Sequence, residues 1–392
     1  MNTIAFKGID GSSPLGILAA LGAMRVISFH DPKATMAWDC SATTHFPVIE
    51  TKLTTDACLR EIRLEALRIA GFPLDYSQRK QEITLEQKTL KDKLDKAQDA
   101  FDKAQATCRR KTADTETRLK REQKLQECAD KLKALQEQWH DFQTNPLHDV
   151  KIWEDEQNIV NACHKVSSIL KGNIIKYSPN EFHDMAITVI DSPNLYNNHQ
   201  EDYFAAFASD GNLKDGFVAR TALSMTNGGH GLCLLKDFKR LLPLFNIPII
   251  ESSLLLGNPI LSDTSKLNWS PADYNNNALR STSQEEKTNK TDTVMYAVAF
   301  LGLPAFPCMP GNRELLTTGI VLSITSEPNF SWPIWETPIS IQIILSLLKT
   351  SPQKKICSKW FCSKMILENH NYFFLPGTPF EPKKFPFIGK MK

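Results

Sequence analysis

A secretory leader is not expected in this chain: its first residues run straight into a strand pattern, and the helix pattern that follows is too short and too glycine-rich to span a bilayer. The expectation is a cytoplasmic protein. A Cys-x-x-Cys pair is missing as well. The cysteines, Cys40, Cys58, Cys108, Cys128, Cys163, Cys233, Cys308, Cys357 and Cys362, are an odd, scattered set, which argues for reduced thiols and against a disulfide framework or a zinc knuckle. Cys357 and Cys362 stand near His370 at a spacing that fits no common zinc pattern, so no metal is expected. Charge of one sign is also lacking: 46 Lys and Arg against 44 Asp and Glu leave a formal net charge of +2. Any contact with nucleic acid must therefore come from local patches, not from the field of the whole molecule.

Catalytic signatures are absent from the linear sequence. No stretch reads as a nucleophile elbow, a zinc-protease helix, a paired-carboxylate nuclease site with a nearby lysine, or a helicase motif. The histidines, His30, His45, His140, His148, His164, His183, His199, His230 and His370, do not cluster. The expectation is a non-catalytic binding or scaffold protein without a cofactor or a small-molecule substrate. A site assembled from distant residues stays open.

With 392 residues the chain can bury a large core and should hold two or three structural units. The stretch around which it is organised runs from Phe6 to Val26. A short strand enters a glycine turn, and a helix leaves it with Ser13 placed to cap and Pro14 at the first helical position, where its missing N–H costs nothing. Leu15, Leu18, Leu21 and Val26 give this helix an apolar side. Gly16, Ala19, Ala20, Gly22 and Ala23 leave its other side nearly bare, and glycine within a helix costs about 1 kcal/mol against alanine, so close packing or a ligand must compensate. The helix is expected to be central and buried. A Gly/Ser turn at a helix N-terminus also suits an anion, which makes Ser12 and Ser13 candidate phosphate contacts beside the alternative of a tight strand-to-helix turn. No Gly-Lys-Ser/Thr follows, and Gly8, Gly11 and Gly16 miss the dinucleotide spacing, so nucleotide binding is not expected.

Ala34 to Trp38 reads as a strand, and Thr54 to Ile69 as a helix with Leu59, Ile62, Leu64, Leu67 and Ile69 on its core side, stopped by Gly71 and Pro73. From Ser77 to Phe142 there is then no glycine or proline and a dense run of Lys, Glu, Asp and Gln. Leu90, Leu94, Ala97, Phe101, Ala104 and Cys108 alternate four and three apart, and Leu125, Cys128, Leu132, Leu135, Trp139 and Phe142 repeat the rhythm. With a reversal at Lys111 to Thr115, this predicts an antiparallel coiled-coil hairpin whose arms reach about 45 Å at about 1.5 Å per residue. Its charges read either as a solvated face or as an arm touching nucleic acid or a partner through Arg109, Arg110, Lys111, Arg118, Lys120 and Arg121.

Beyond Pro146 the middle is expected to be mostly helical, over Trp153 to Leu170, Glu181 to Ile190 and Glu201 to Ala208. A strand-like run from Phe217 then breaks into the loop Thr226-Asn227-Gly228-Gly229-His230-Gly231 before a helix from Leu232 to Leu242. Arg220, Ser224, Thr226, Asn227, Gly228, Gly229 and His230, with Lys236, Lys239 and Arg240, form the second anion-binding candidate, against the reading of a plain strand-to-helix turn. Ser262 to Asp292 reads as a polar surface loop anchored by Trp269 and Tyr274. Thr293 to Leu301 reads as a short apolar helix. An extended path through Pro304, Phe306, Pro307 and Pro310, a strand over Leu315 to Ser323, and an apolar helix over Ile339 to Leu348 complete the C-terminal block, with Trp332 and Trp335 plugging the core. In the tail, Lys354, Lys355 and Lys359 begin a run of lysines interleaved with Trp360, Phe361, Tyr372, Phe373, Phe374, Phe380, Phe385 and Phe387. Such a mixture suits single-stranded nucleic acid, or else the rings close the core and the lysines are solvated.

The pattern as a whole predicts an α+β protein, predominantly helical, with small mixed sheet elements and the hairpin as an insertion. Five segments follow: 1–76, 77–145, 146–261, 262–292 and 293–392.

Several stretches in order carry a family resemblance. They are Gly8-Ile-Asp-Gly-Ser-Ser-Pro-Leu-Gly-Ile-Leu-Ala-Ala-Leu-Gly22, Ala219-Arg-Thr-Ala-Leu-Ser224 with its glycine-histidine loop, and Leu267-Asn-Trp-Ser-Pro-Ala-Asp273. Leu301-Gly-Leu-Pro-Ala-Phe-Pro307, Leu316-Thr-Thr-Gly319, Phe330-Ser-Trp-Pro-Ile-Trp-Glu-Thr-Pro338 and Asn371-Tyr-Phe-Phe-Leu-Pro-Gly-Thr378 continue the series. Together they resemble the type I-G (formerly I-U) CRISPR-associated proteins, in particular the group related to an extension of the effector helicase-nuclease and, less closely, that subtype's large subunit. The resemblance implies a part in RNA-guided interference against foreign DNA, with DNA or an RNA–DNA hybrid and other CRISPR-associated proteins as partners. In such systems base pairing reads the target while protein reads a short flanking motif and backbone shape. It supplies no catalytic residue.

Overall fold

The computed structural model describes residues 1–41, 44–70, 77–109, 114–144, 177–190, 200–225, 234–259, 261–262, 267–272, 291–312, 314–321, 327–350, 357, 359–368 and 371–380. They build a mixed α/β protein with small antiparallel sheets. The chain divides into two compact units, one of residues 1–72 with 162–392 and one of residues 73–161.

In the first unit β1 (Asn2–Ala5) enters the glycine turn and α1 (Pro14–His30) leaves it. Ser13 caps α1 by accepting from the Gly16 amide, with Pro14 behind it, as the sequence predicts. From Pro14 to Ser28 every residue of α1 is buried. β2 (Thr35–Asp39) and β3 (Phe46–Thr51) return as an antiparallel pair, with β3 between β1 and β2. This register places Ile49 between Ile4 and Met36, all three buried, which fixes the core face of the sheet. α2 (Thr55–Ala70) buries its expected apolar side and also Arg63, Glu65 and Arg68. Those charges are matched inside the protein: Arg68 pairs with Glu65 at 2.6 Å, and Arg63 Nε donates to the Phe245 carbonyl at 3.1 Å.

The second unit holds α3 (Ser77–Cys108) and α4 (Thr115–Thr144). The residues at the four-and-three spacing, Leu90 to Cys108 on α3 and Leu125 to Phe142 on α4, are buried or half-buried, and most residues between them are exposed. The two helices touch where the Cys108 thiol donates to the Arg121 carbonyl at 3.1 Å. Of the expected reversal, Lys111, Thr112 and Ala113 lie outside the described residues, as does Arg110. α4 starts on Asp114, whose carboxylate accepts from the Thr117 hydroxyl and from the amides of Glu116 and Thr117, bonds that hold it below its ordinary pKa.

The first unit resumes with α5 (Pro179–Ile190), α6 (Gln200–Phe207) and the hairpin β4 (Ala208–Lys214) with β5 (Phe217–Arg220). The turn between these strands uses Asp215 at φ 54° and Gly216 at φ 81°. The helix expected over Trp153 to Leu170 lies outside the described residues. α9 (Thr293–Leu301) then packs along α1, and α7 (Leu234–Leu241) and α8 (Ile247–Leu254) pack against α9. Asp292 caps α9 by accepting from the Val294 and Met295 amides at 3.1 Å each. Phe300 of α9 gathers Phe238, Phe207 and Tyr203 around it, with the Phe238 ring parallel at 4.0 Å.

The polar stretch from Ser262 to Asp292 is pinned at its ends, where β6 (Leu261–Ser262) pairs β7 (Thr291–Asp292). Within it Trp269 is a core residue whose Nε1 donates to the Leu223 carbonyl at 2.9 Å; Tyr274 lies outside the described residues. Two expectations for the C-terminal block are corrected. Pro304 does not force an extended path, because Leu303–Ala305 forms a single 3-10 turn that continues α9, and extension begins only at β8 (Cys308–Pro310). The strand expected over Leu315 to Ser323 breaks into β9 (Leu315–Thr317) and β10 (Ile320–Val321), because Gly319 turns the chain at φ 78°.

β11 (Asn329–Ile334) is buried almost throughout. After it, β12 (Ile339–Ser340) extends the first sheet beside β2, and α10 (Ile341–Leu348) starts two residues later than the expected helix. β13 (Lys359–Glu368), β14 (Asn371–Phe374) and β15 (Thr378–Phe380) complete a second sheet of order β10-β11-β13-β14, with β15 also on β13. Trp332 and Trp335 plug the core as expected, and their indole N–H groups reach the Gly11 and Met36 carbonyls at 2.8 Å. Trp360, Phe361, Phe373 and Phe374 are buried too, so these four rings close the core and do not stand free to stack on bases, while Tyr372 and Phe380 are half-buried and Phe385 and Phe387 lie outside the described residues.

Candidate nucleic-acid interface

The tail strands run from the first glycine turn to Met225, the residue before the glycine-rich stretch that opens at Thr226. At one end of β13, Lys359 Nζ donates to His45 Nε2 at 3.2 Å, and the Gly11 amide of the first turn donates to the His45 carbonyl at 2.6 Å. At the other end, the Tyr372 amide of β14 donates to the Met225 carbonyl at 2.9 Å, directly before the second glycine loop. From Lys359 to Leu367, the partner of Tyr372, β13 spans about 26 Å at about 3.3 Å per residue.

The first turn spends its donors on the protein. The Ser12 amide and hydroxyl both go to the Asp10 carboxylate, at 2.9 and 2.7 Å. The Ser13 hydroxyl donates to the Asp10 carbonyl while accepting from Gly16, and the Ser13 amide also goes to Asp10. Trp332 covers the Gly11 carbonyl, and Gly377 lies so close to the Ser12 carbonyl that a Cβ there would fall 2.0 Å from the oxygen. Ser12 and Ser13 thus bond within the protein, with the negative Asp10 between them.

Beside that turn the fold collects ionisable groups that no motif connects. His45 lies within electrostatic reach of Lys359, Asp10 and Glu336, and the half-buried Cys40 within reach of Lys359 and Glu336. Because the Lys359 ammonium is a donor, His45 Nε2 accepts and the ring proton sits on Nδ1, which is buried without a hydrogen-bond partner among the described residues. Burial pulls the His45 pKa below its ordinary value, the Lys359 charge adds to this, and Asp10 and Glu336 oppose it. Among the described residues no group of three His, Cys, Asp or Glu side chains could hold a metal ion.

At the second turn, Arg220 ends β5 half-buried, and its guanidinium donates to the buried Ser224 hydroxyl at 3.5 Å. Burial lowers the Arg220 pKa, with Tyr372 partly offsetting it. The segment that carries Ser224 is fixed: the Thr221 amide donates to Phe207, the Ala222 amide to the Thr317 hydroxyl, and Leu223 accepts from Trp269. Thr226, Asn227, Gly228, Gly229 and His230 lie outside the described residues. On α7, Phe238 anchors the helix in the core while Lys239 is half-buried and the exposed Arg240 reaches the buried Asp237 at 3.4 Å. The Lys236 side chain, and Lys354 and Lys355, lie outside the described residues.

Of the predicted candidates, the structure therefore brings Lys359 to the first turn and Arg220 with Ser224 to the edge of the second. Sequence reasoning missed His45, Asp10 and Glu336, which come together with Lys359 across separations such as the 314 residues between His45 and Lys359, while Tyr372, expected only as one of the tail's rings, lies within electrostatic reach of Arg220. No family model matches the chain, and neither a curated protein nor a solved structure matches it significantly. No helix among the described residues is long and apolar enough to cross a membrane.

Proposed function

We propose that this chain is a non-catalytic, cytoplasmic component of a type I CRISPR interference system, which binds a DNA or RNA–DNA backbone or links the surveillance complex to its helicase-nuclease. The observation that supports the reading is Arg220 beside Ser224 at the entrance of the loop Thr226 to His230. A cation already partly desolvated, on a strand end that the core holds rigid, meets a phosphate without first having to be ordered. The loop amides, Lys236, Lys239 and Arg240 supply the further contacts in this reading, Ser12 and Ser13 being engaged elsewhere. Lys354 and Lys355 extend it along the tail. Binding to duplex and single-stranded DNA across a salt series tests it: affinity that falls steeply with salt is expected, and no affinity at low salt overturns it.

A second reading is supported by the buried and half-buried seams of α3 and α4. In it these helices form the antiparallel coiled-coil hairpin, and the protein is a structural partner-binding protein of another antiviral defence system that touches no nucleic acid. Removing Ser77 to Phe142 then abolishes partner pull-down, whereas the first reading leaves DNA binding in place.

A further inference from the structure

The seam between α3 and α4 opens on one side into a groove of about 280 Å³. Ala100 and Ala104 of α3 and Cys128 of α4 give it a small, apolar floor. Its other lining groups are Lys103 and Thr107 of α3 and Arg121 and Lys124 of α4, so three cations line it and no carboxylate does. Arg121 closes one end by donating to the Thr107 carbonyl at 3.5 Å. The ammonium groups of Lys103 and Lys124 make no hydrogen bond or ion pair among the described residues, whereas two other cations of α4 are matched, Lys120 with Glu116 at 2.7 Å and Arg118 with Glu122 at 3.0 Å.

We propose that this groove receives an acidic segment of a partner protein. Carboxylates of that segment meet Lys103, Lys124 and Arg121, and one of its apolar side chains rests on Ala100, Ala104 and Cys128. Charge complementarity selects an acid, and the lining selects a protein acid over a nucleic acid. No aromatic ring lines the groove to stack a base. The rest of the two helices carries exposed Asp99, Asp102, Glu122 and Glu127, past which a continuous phosphodiester chain would have to run. A discrete acidic motif on a helix avoids those charges while offering paired carboxylates at i and i+4 around an apolar residue. This inference stands apart from the DNA-binding edge at Arg220, so either can fail alone.

The test uses the full chain and a fluorescent amphipathic peptide helix with glutamates flanking a leucine. Binding is expected to weaken about tenfold or more when the glutamates become glutamines, and equally in the Lys103→Glu/Lys124→Glu double variant. A Lys91→Glu/Lys131→Glu control on the same helices should bind as the parent does. On the unaltered protein, the peptide should also slow alkylation of the half-buried Cys128, mapped by mass spectrometry. The proposal is overturned by failure of the peptide to bind, by equal binding of the glutamine peptide, by unchanged binding in the double variant, by unchanged alkylation of Cys128, or by an oligonucleotide that displaces the peptide from the groove.

Discussion

Gly22 of α1 and Gly302 at the end of α9 oppose each other at the crossing of these helices: a Cβ on Gly22 would lie 2.0 Å from the Val298 carbonyl oxygen, and one on Gly302 would lie 2.0 Å from that of Leu18. Both obstacles are backbone atoms, so no side-chain rotation relieves them. The pair lets two buried helices touch main chain to main chain, which explains glycine in the middle of α1 despite its cost to the helix. Gly22→Ala and Gly302→Ala are each expected to destabilise the protein by about 1–3 kcal/mol or more, the range for overpacking a core. Urea unfolding measures this, and wild-type midpoints in both variants would contradict it.

Trp332 and Gly11 make a second such tie, through the indole N–H and the turn carbonyl at 2.8 Å. Trp332→Phe keeps most of the apolar bulk and strands a buried acceptor, so a loss of about 1–3 kcal/mol is expected. Denaturant titration of the variant against the parent reads it directly.

His45 gives the protein a pH dependence of defined sign. Its folded pKa is depressed, so in the window below its ordinary value of about 6.5 the unfolded chain binds more protons than the folded one. Stability from this group is fully present above that value and is lost as pH falls toward the depressed one. Asp10, Glu336 and Lys359 all face the ring and set the size of the effect. His45→Gln should flatten the difference in melting temperature between pH 7.5 and 5.5 relative to the parent. Equal pH profiles for both proteins would refute the assignment.

The local parts of this fold were legible in the residues and the long-range ones were not. Ser13-Pro14 marks the start of α1, the bare Gly/Ala side marks its close neighbour, and the four-and-three spacing marks the half-buried positions of α3 and α4, because each depends on residues a few places apart. Gly319 breaks a strand that its apolar neighbours favour, and Pro304 fits a 3-10 turn because α9 ends directly before it. Arg63, Glu65 and Arg68 carry no local signal of burial, but packing encloses α2 and supplies partners from within the helix and from Phe245. The His45 and Lys359 contact had no sequence signal: the two stand 314 residues apart, at strands of two different sheets, and only tertiary packing joins them. The same holds for Tyr372 and Met225, which tie the tail to the second glycine loop.

The central claim, that the Arg220 edge meets a nucleic-acid backbone, is tested most directly by the salt dependence of DNA binding in Arg220→Gln beside the parent. The account predicts weaker binding to every sequence and a slope of log affinity against log salt that is shallower by about one unit, as for loss of one phosphate contact. Identical affinity and slope in the two proteins would contradict it.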